Sequence, residues 1–166
     1  MNSEIEIRQI RPDEIADARE VVMQVAYEVF EPPMTYEEAK QLWNQTPHWG
    51  DLQELEKNYL GDRATFLVTI SQGRVVGTGA IRPLGETVCE VKKMWLLPEF
   101  RGRGLGRAML EKLLEFAREA GYTRARLDTG SSEGQRPAQT LYRSAGFTDI
   151  PRYNNGPATV FLEREL

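Results

Sequence analysis

The chain has 166 residues, 40% of them apolar and 28% charged, the balance of a folded globular protein long enough to bury a core rather than of a disordered tract. A formal net charge of −4 supplies no global field for nucleic acid or an anionic membrane, so neither is an expected partner. The start Met1-Asn2-Ser3-Glu4-Ile5-Glu6-Ile7 lacks the basic opening and apolar run of a signal peptide, and no stretch approaches a membrane span. The expectation is one cytoplasmic domain over residues 1–166. Cys89, the single cysteine, has no His or Cys nearby and reads as a small buried apolar residue rather than a nucleophile.

In chain order, alternating Ile5 and Ile7 predict a short first strand. Pro12 and Asp13 open a helix whose apolar side carries Ile15, Val22, Val25, Ala26, Val29 and Phe30, and Pro32-Pro33 ends it. Thr35 with Glu38 three residues later is a capping-box pattern for a helix through Leu42 and Trp43. Pro47-His48-Trp49-Gly50 is expected to break it, with helix again from Leu52 to Leu60 and His48 in a loop rather than acting as a base. Phe66–Ile70, Val75–Ile81 and Val88–Leu97 then read as an antiparallel meander.

From Leu105 the period becomes helical: Leu105, Met109, Leu113, Phe116 and Ala117 form a stripe widened by Leu110 and Leu114, with Gly121 suited to the cap. A strand over Tyr122–Thr129, a helix from Pro137 to Ser144 and a final strand over Val160–Leu166 complete an α+β pattern.

The strand–loop–helix from Met94 to Leu114 carries the most chemistry. Gly102, Gly104 and Gly106 fall where a strand gives way to an amphipathic helix, so backbone amides can approach a ligand closely. Unpaired amides and a positive dipole at a helix start make phosphate the natural guest, and Arg101, Arg103 and Arg107 add charge there. A nucleoside-triphosphate loop would need Lys-Ser/Thr after its last glycine, which is missing here. A dinucleotide fingerprint would need Gly-x-Gly-x-x-Gly after a parallel strand, whereas this spacing is Gly-x-Gly-x-Gly after a meander. A plain glycine-rich turn with solvated arginines is the bland alternative.

The pattern Arg101-x-x-Gly104-x-Gly106, led in by Met94-Trp95-Leu96-Leu97-Pro98, resembles the acetyl-CoA signature of the GNAT family of N-acetyltransferases. About forty residues later, Ala138-Gln139-Thr140-Leu141-Tyr142-Arg143-Ser144-Ala145-Gly146-Phe147 resembles the family's second hallmark, Ala-x-x-Leu-Tyr-x-x-x-Gly-Phe. The resemblance covers nearly the whole chain. It implies the GNAT fold: a mixed, mostly antiparallel sheet of about six to seven strands with the fourth and fifth splayed, flanked by about four helices.

It further implies acetyl-CoA as co-substrate, with no metal, and a direct ternary complex with a primary amine. The coenzyme arm would lie between the splayed strands, bonded by backbone of Met94, Trp95 and Leu96. The amides of Gly102, Arg103, Gly104, Leu105, Gly106 and Arg107 would hold the pyrophosphate beside Arg101. Tyr142 would protonate the departing thiolate. Gln135 stands where the family often has a coenzyme-contacting Asn. For the base, Glu90 on the fourth strand comes first and Asp128 second, although either could be a paired surface charge.

The acceptor site in the family is built from the first helices and a late loop, here Tyr27–Trp49 and Ile150–Ala158. A small amine bearing a carboxylate, clamped by Arg82 and Arg152, is the expected acceptor. Polyamine or peptide amines, a longer acyl donor, a non-catalytic acyl-CoA sensor and a homodimer stay open.

Overall fold

The fold is described by a computed structural model covering residues 4–166; the first three residues, on which part of the reading of the N-terminus rests, lie outside it. Seven strands, β1 (Ile5–Gln9), β2 (Thr65–Ser71), β3 (Arg74–Pro83), β4 (Val88–Leu96), β5 (Arg124–Thr129), β6 (Thr148–Asp149) and β7 (Val160–Glu165), form one sheet in the order β1-β2-β3-β4-β5-β7-β6. Among the described residues, only β4 and β5 pair in parallel. A parallel pair needs a crossover connection, and the segment between these strands contains the long helix α5 (Leu105–Glu119).

Four longer helices match the sequence expectation: α1 (Ile15–Phe30), α2 (Tyr36–Asn44), α5 and α6 (Arg136–Ser144). Between α2 and β2 lie two short ones, α3 (Pro47–Gly50) and α4 (Leu55–Tyr59). The capping box at α2 forms as read, with the Glu38 amide donating to Thr35 Oγ1 at 3.2 Å and the Thr35 amide to Glu38 Oε2 at 2.8 Å. One expectation is corrected in part: α2 does end before Pro47, at Asn44, but Pro47–Gly50 forms the short helix α3, because a first-turn proline lacks only an N–H that a helix start leaves unpaired. His48 therefore sits in a helical turn and not in a loop. The two-residue strand β6 had no sequence signal, being too short for any period to show.

Both faces of the sheet are covered. Phe66, Val68 and Ile70 of β2 pack with α1 residues such as Val22, Val25 and Ala26 on one side. On the other, Leu67 joins Met109, Leu110, Leu113, Leu114 and Ala117 of α5, the stripe read from the sequence. Every residue of β2 is consequently buried, and Cys89, fully buried in the second cluster, has its thiol pushed up to about 12 by that burial.

Two irregularities open the sheet. β4 pairs with β5 only at Val88↔Arg124, Cys89↔Ala125 and Glu90↔Arg126; beyond Glu90 the strands part. On the other side of β4 the register with β3 jumps from Ala80↔Lys92 to Thr78↔Trp95, so Lys93 and Met94 together oppose Gly79. Lys93 takes a left-handed φ of 55°, and the Thr78 hydroxyl donates to its carbonyl at 2.6 Å.

α5 lies hard against this bulge. A Cβ on Gly79 would come within 2.8 Å of Met109 Sδ and 2.9 Å of Leu113 Cδ1. Gly79→Val is expected to destabilise the protein by about 1–3 kcal/mol through overpacking, read as a lower urea midpoint at unchanged slope.

Candidate active site

The parting strands, the glycine loop, α6 and the C-terminal end of α1 enclose one cavity of about 650 Å³. At its loop end, Gly102 and Gly104 have φ of 77° and 78°, which glycine adopts without strain. Open space lies where a Cβ would stand on either. The first bond into α5 runs from the Ala108 amide to the Gly104 carbonyl at 3.0 Å. The six amides from Gly102 to Arg107 donate to no acceptor among the described residues, as at any uncapped helix start.

Of the loop arginines, Arg101 lines the cavity and pairs with Glu28 of α1 at 3.0 Å. Arg103 and Arg107 stay outside the lining: Arg103 donates to the Glu99 carbonyl and lies over the Phe100 ring, and Arg107 bonds Ser144 Oγ. Leu105 and Gly106 line the cavity as well, as do Met94, Trp95 and Leu96 on the stretch of β4 that has parted from β5. Gln135 reaches it from the turn before α6, its side chain folded over Gly130 and accepting from Ser132 Oγ at 2.7 Å.

Tyr142 enters from α6, only 7% exposed, edge-on to Phe147. Its hydroxyl makes no hydrogen bond among the described residues, and Tyr142 belongs to the cavity lining. Burial, reinforced by the nearby Asp128 carboxylate, pushes its pKa up, so the phenol keeps its proton at neutral pH.

The two carboxylates read as candidate bases differ in surroundings. Glu90 lies at the last β4–β5 pair, 1% exposed and outside the cavity lining. Arg82, directly across in β3, holds one oxygen at 2.8 Å, and the Tyr153 hydroxyl donates to the other at 2.6 Å. Asp128, near the end of β5, does line the cavity; Asn154 Nδ2 donates to one oxygen at 2.7 Å, and Lys92 Nζ stands 3.8 Å from the other.

Neither arginine of the expected carboxylate clamp reaches the cavity. Arg82 is taken up by Glu90 and approaches Asp51 at 3.8 Å. Arg152 donates to the carbonyls of Asn154, Gly156 and Ala158 and lies 4.7 Å from the Phe161 ring centre. Both guanidiniums are satisfied by their own chain.

Lys92 and Lys93, which the sequence offers only as surface partners for Glu90 or Asp128, form a basic pair in the cavity wall at the bulge. The Lys93 ammonium donates to the His48 carbonyl at 2.9 Å and stands 3.1 Å from Asp51. Burial pushes its pKa down to about 8 despite Asp51. No sequence pattern announces this, since Asp51, His48 and Lys93 converge only through the fold.

His48 is half-buried and lies edge-on to Trp49, its ring centre 5.0 Å away. Burial first, and then Lys92 and Lys93, lower its pKa to about 4. Between that value and the ordinary 6.5 the unfolded chain binds the extra proton, so stability falls as pH drops through this window. The parent is expected to lose on the order of 1–3 kcal/mol more than His48→Gln between pH 6.5 and pH 4, measured by urea unfolding at each pH.

A family model described as "Acetyltransferase (GNAT) family" matches residues 24–147. An IAA acetyltransferase of Azospirillum brasilense is 39% identical over 128 residues, covering 70% of this chain and 82% of that protein. N-acetyltransferase 8 of Rattus norvegicus is 38% identical over 103 residues, covering 58% of this chain and 46% of that one, so the chain spans under half of this longer relative.

Among solved structures, an acetyltransferase of the GNAT family from Staphylococcus aureus superposes with a TM-score of 0.81 at 20% identity, covering 98% of this chain and 99% of that one. The PaiA N-acetyltransferase of Thermoplasma acidophilum, solved with coenzyme A, gives 0.76 at 14% identity with the same coverages. Identities this low speak for the fold alone. No helix of the described residues is long and apolar enough to cross a membrane. With a family match running through most of the chain and the parted β4 and β5 lying within it, the chain belongs to the acetyltransferase (GNAT) family and is an N-acetyltransferase.

Proposed function

We propose that residues 1–166 act as one domain that moves an acetyl group from acetyl-CoA to the primary amine of a small molecule, by direct attack in a ternary complex. The observation that carries this reading is the opening of six unpaired amides, Gly102 to Arg107, beside the same cavity that Tyr142, its hydroxyl unpartnered, helps to line. The residues fit the coenzyme: amides at the start of α5 for the pyrophosphate, Arg101 beside them, and Gln135 across the cavity. The stretch Met94–Leu96, which has parted from β5, offers backbone donors to the thioester oxygen, where negative charge develops during attack.

Tyr142 is the general acid. Its raised pKa keeps the proton in place until a thiolate departs. Asp128 is the better placed of the two carboxylates to take the amine's proton, directly or through water, because it lines the cavity while both oxygens of Glu90 are engaged. The acceptor is read as a small amine, in keeping with a cavity of about 650 Å³.

Acetyl-CoA is expected to raise the melting temperature by mass action. Gly104→Val, which adds a branched side chain at φ 78° where backbone must meet phosphate, should fold yet bind acetyl-CoA at least about tenfold more weakly by calorimetry. Undiminished binding in a folded variant would remove the loop from the site.

Tyr142→Phe should keep coenzyme affinity and lower kcat by ~10²–10⁴-fold in a thiol-release assay. A kcat within a few-fold of the parent would leave Tyr142 a packing residue.

A further inference from the structure

The walls of the cavity away from the glycine loop narrow the acceptor further. Charge first: Asp128 is the only carboxylate in the lining among the described residues, and the acids of the first helices, Glu28, Glu31, Glu37 and Glu38, do not reach it. One carboxylate can receive one ammonium, but a polyamine would leave its further charges facing Lys92 and Lys93. Arg82 and Arg152 are bonded within the chain, so no free guanidinium grips a carboxylate.

What remains is aromatic. Phe30, Trp43, Trp49 and Trp95 all line the cavity, with His48 beside them. Trp43 and Trp49 are stacked, their centres 5.4 Å apart and their planes at 25°. Trp95 continues the row at 5.8 Å from Trp49, tilted by 32°. Phe30 stands edge-on to all three, between 6.1 and 6.3 Å away.

This cluster is incompletely buried. Phe30, on the side of α1 that the sequence assigns to the core, is 39% exposed. Trp43 and Trp95 are half-buried, and only Trp49 is closed off, with Lys93 Nζ 4.9 Å from its ring centre. His48 adds no charge at neutral pH, because its proton is lost well below that. A ring entering beside this row gains both apolar burial and stacked or edge-to-face contacts, which an alkyl chain obtains only in part.

We infer that the acceptor is a small primary amine carrying an aromatic ring, seated against Phe30, Trp43 and Trp95 with its nitrogen directed to Asp128. This rests on the small-amine reading above. Binding of the ring in the ground state and the transition state alike would act on KM, with kcat little changed.

The test is thiol release from acetyl-CoA with tryptamine and 2-phenylethylamine against n-hexylamine, spermidine and a short peptide. The arylalkylamines should show kcat/KM about tenfold above n-hexylamine, which has the same charge, and above spermidine. Phe30→Leu and Trp43→Leu, checked for unchanged melting temperature and an intact acetyl-CoA-induced rise in it, should erase most of that preference through KM.

Equal or better turnover of n-hexylamine or spermidine overturns the aromatic acceptor while leaving a small-amine acetyltransferase standing. So does a preference that survives both folded variants. Thiol release with the peptide alone overturns the small-amine reading itself.

Discussion

β4 cannot follow β5 beyond Glu90, and the rest of the site depends on that parting. Lys93 and Met94 occupy the space of one residue opposite Gly79, and Lys93 turns the strand with a left-handed φ that costs a non-glycine residue about 1–3 kcal/mol. The strain is held from three sides. The Thr78 hydroxyl grips the Lys93 carbonyl, the Lys93 ammonium is tied to Asp51 and to the His48 carbonyl, and α5 presses Met109 and Leu113 onto Gly79. Because α5 is held there, its first turn and the glycine loop open on the gap between the strands, and α6 brings Tyr142 to the same gap.

Beneath the parting runs a chain of alternating charges: Lys93, Asp51, Arg82, Glu90, Lys92 and Asp128. Three positive and three negative groups balance, as side chains this buried must, since removing one partner from such a chain strands its neighbour's charge. The chain explains the different fates of two acidic residues that look alike in the sequence. Glu90 sits where the strands still touch, and its oxygens are consumed by Arg82 and Tyr153. Asp128 sits where they have parted, so one side of it meets the cavity. The same burial lowers the pKa of Lys93 and, with the two lysines, that of His48.

The aromatic row belongs to this geometry too. Trp95 comes from β4 just past the bulge, Trp49 and His48 from the turn that Lys93 anchors, and Trp43 and Phe30 from the ends of α2 and α1. The bulge therefore links the coenzyme end of the cavity to the acceptor end.

Local rules determined much of this protein. The apolar run of β2, the stripe of α5, the capping box of Thr35 and Glu38, and the glycines that turn the loop at φ near 78° are each specified by residues within a few positions of one another. The family's two hallmarks are likewise contiguous runs, which is why the fold and the transferase chemistry were legible from them. The tertiary structure alone decided which acid faces the cavity, that Arg82 and Arg152 are spent on their own chain, and that Phe30 is left exposed beside three tryptophans. Those outcomes depend on partners far apart in sequence, such as Arg82 with Glu90 and Tyr153, or Lys93 with Asp51. A charged or aromatic residue carries in its own neighbourhood no record of which distant group will satisfy it, and only the packed chain settles that.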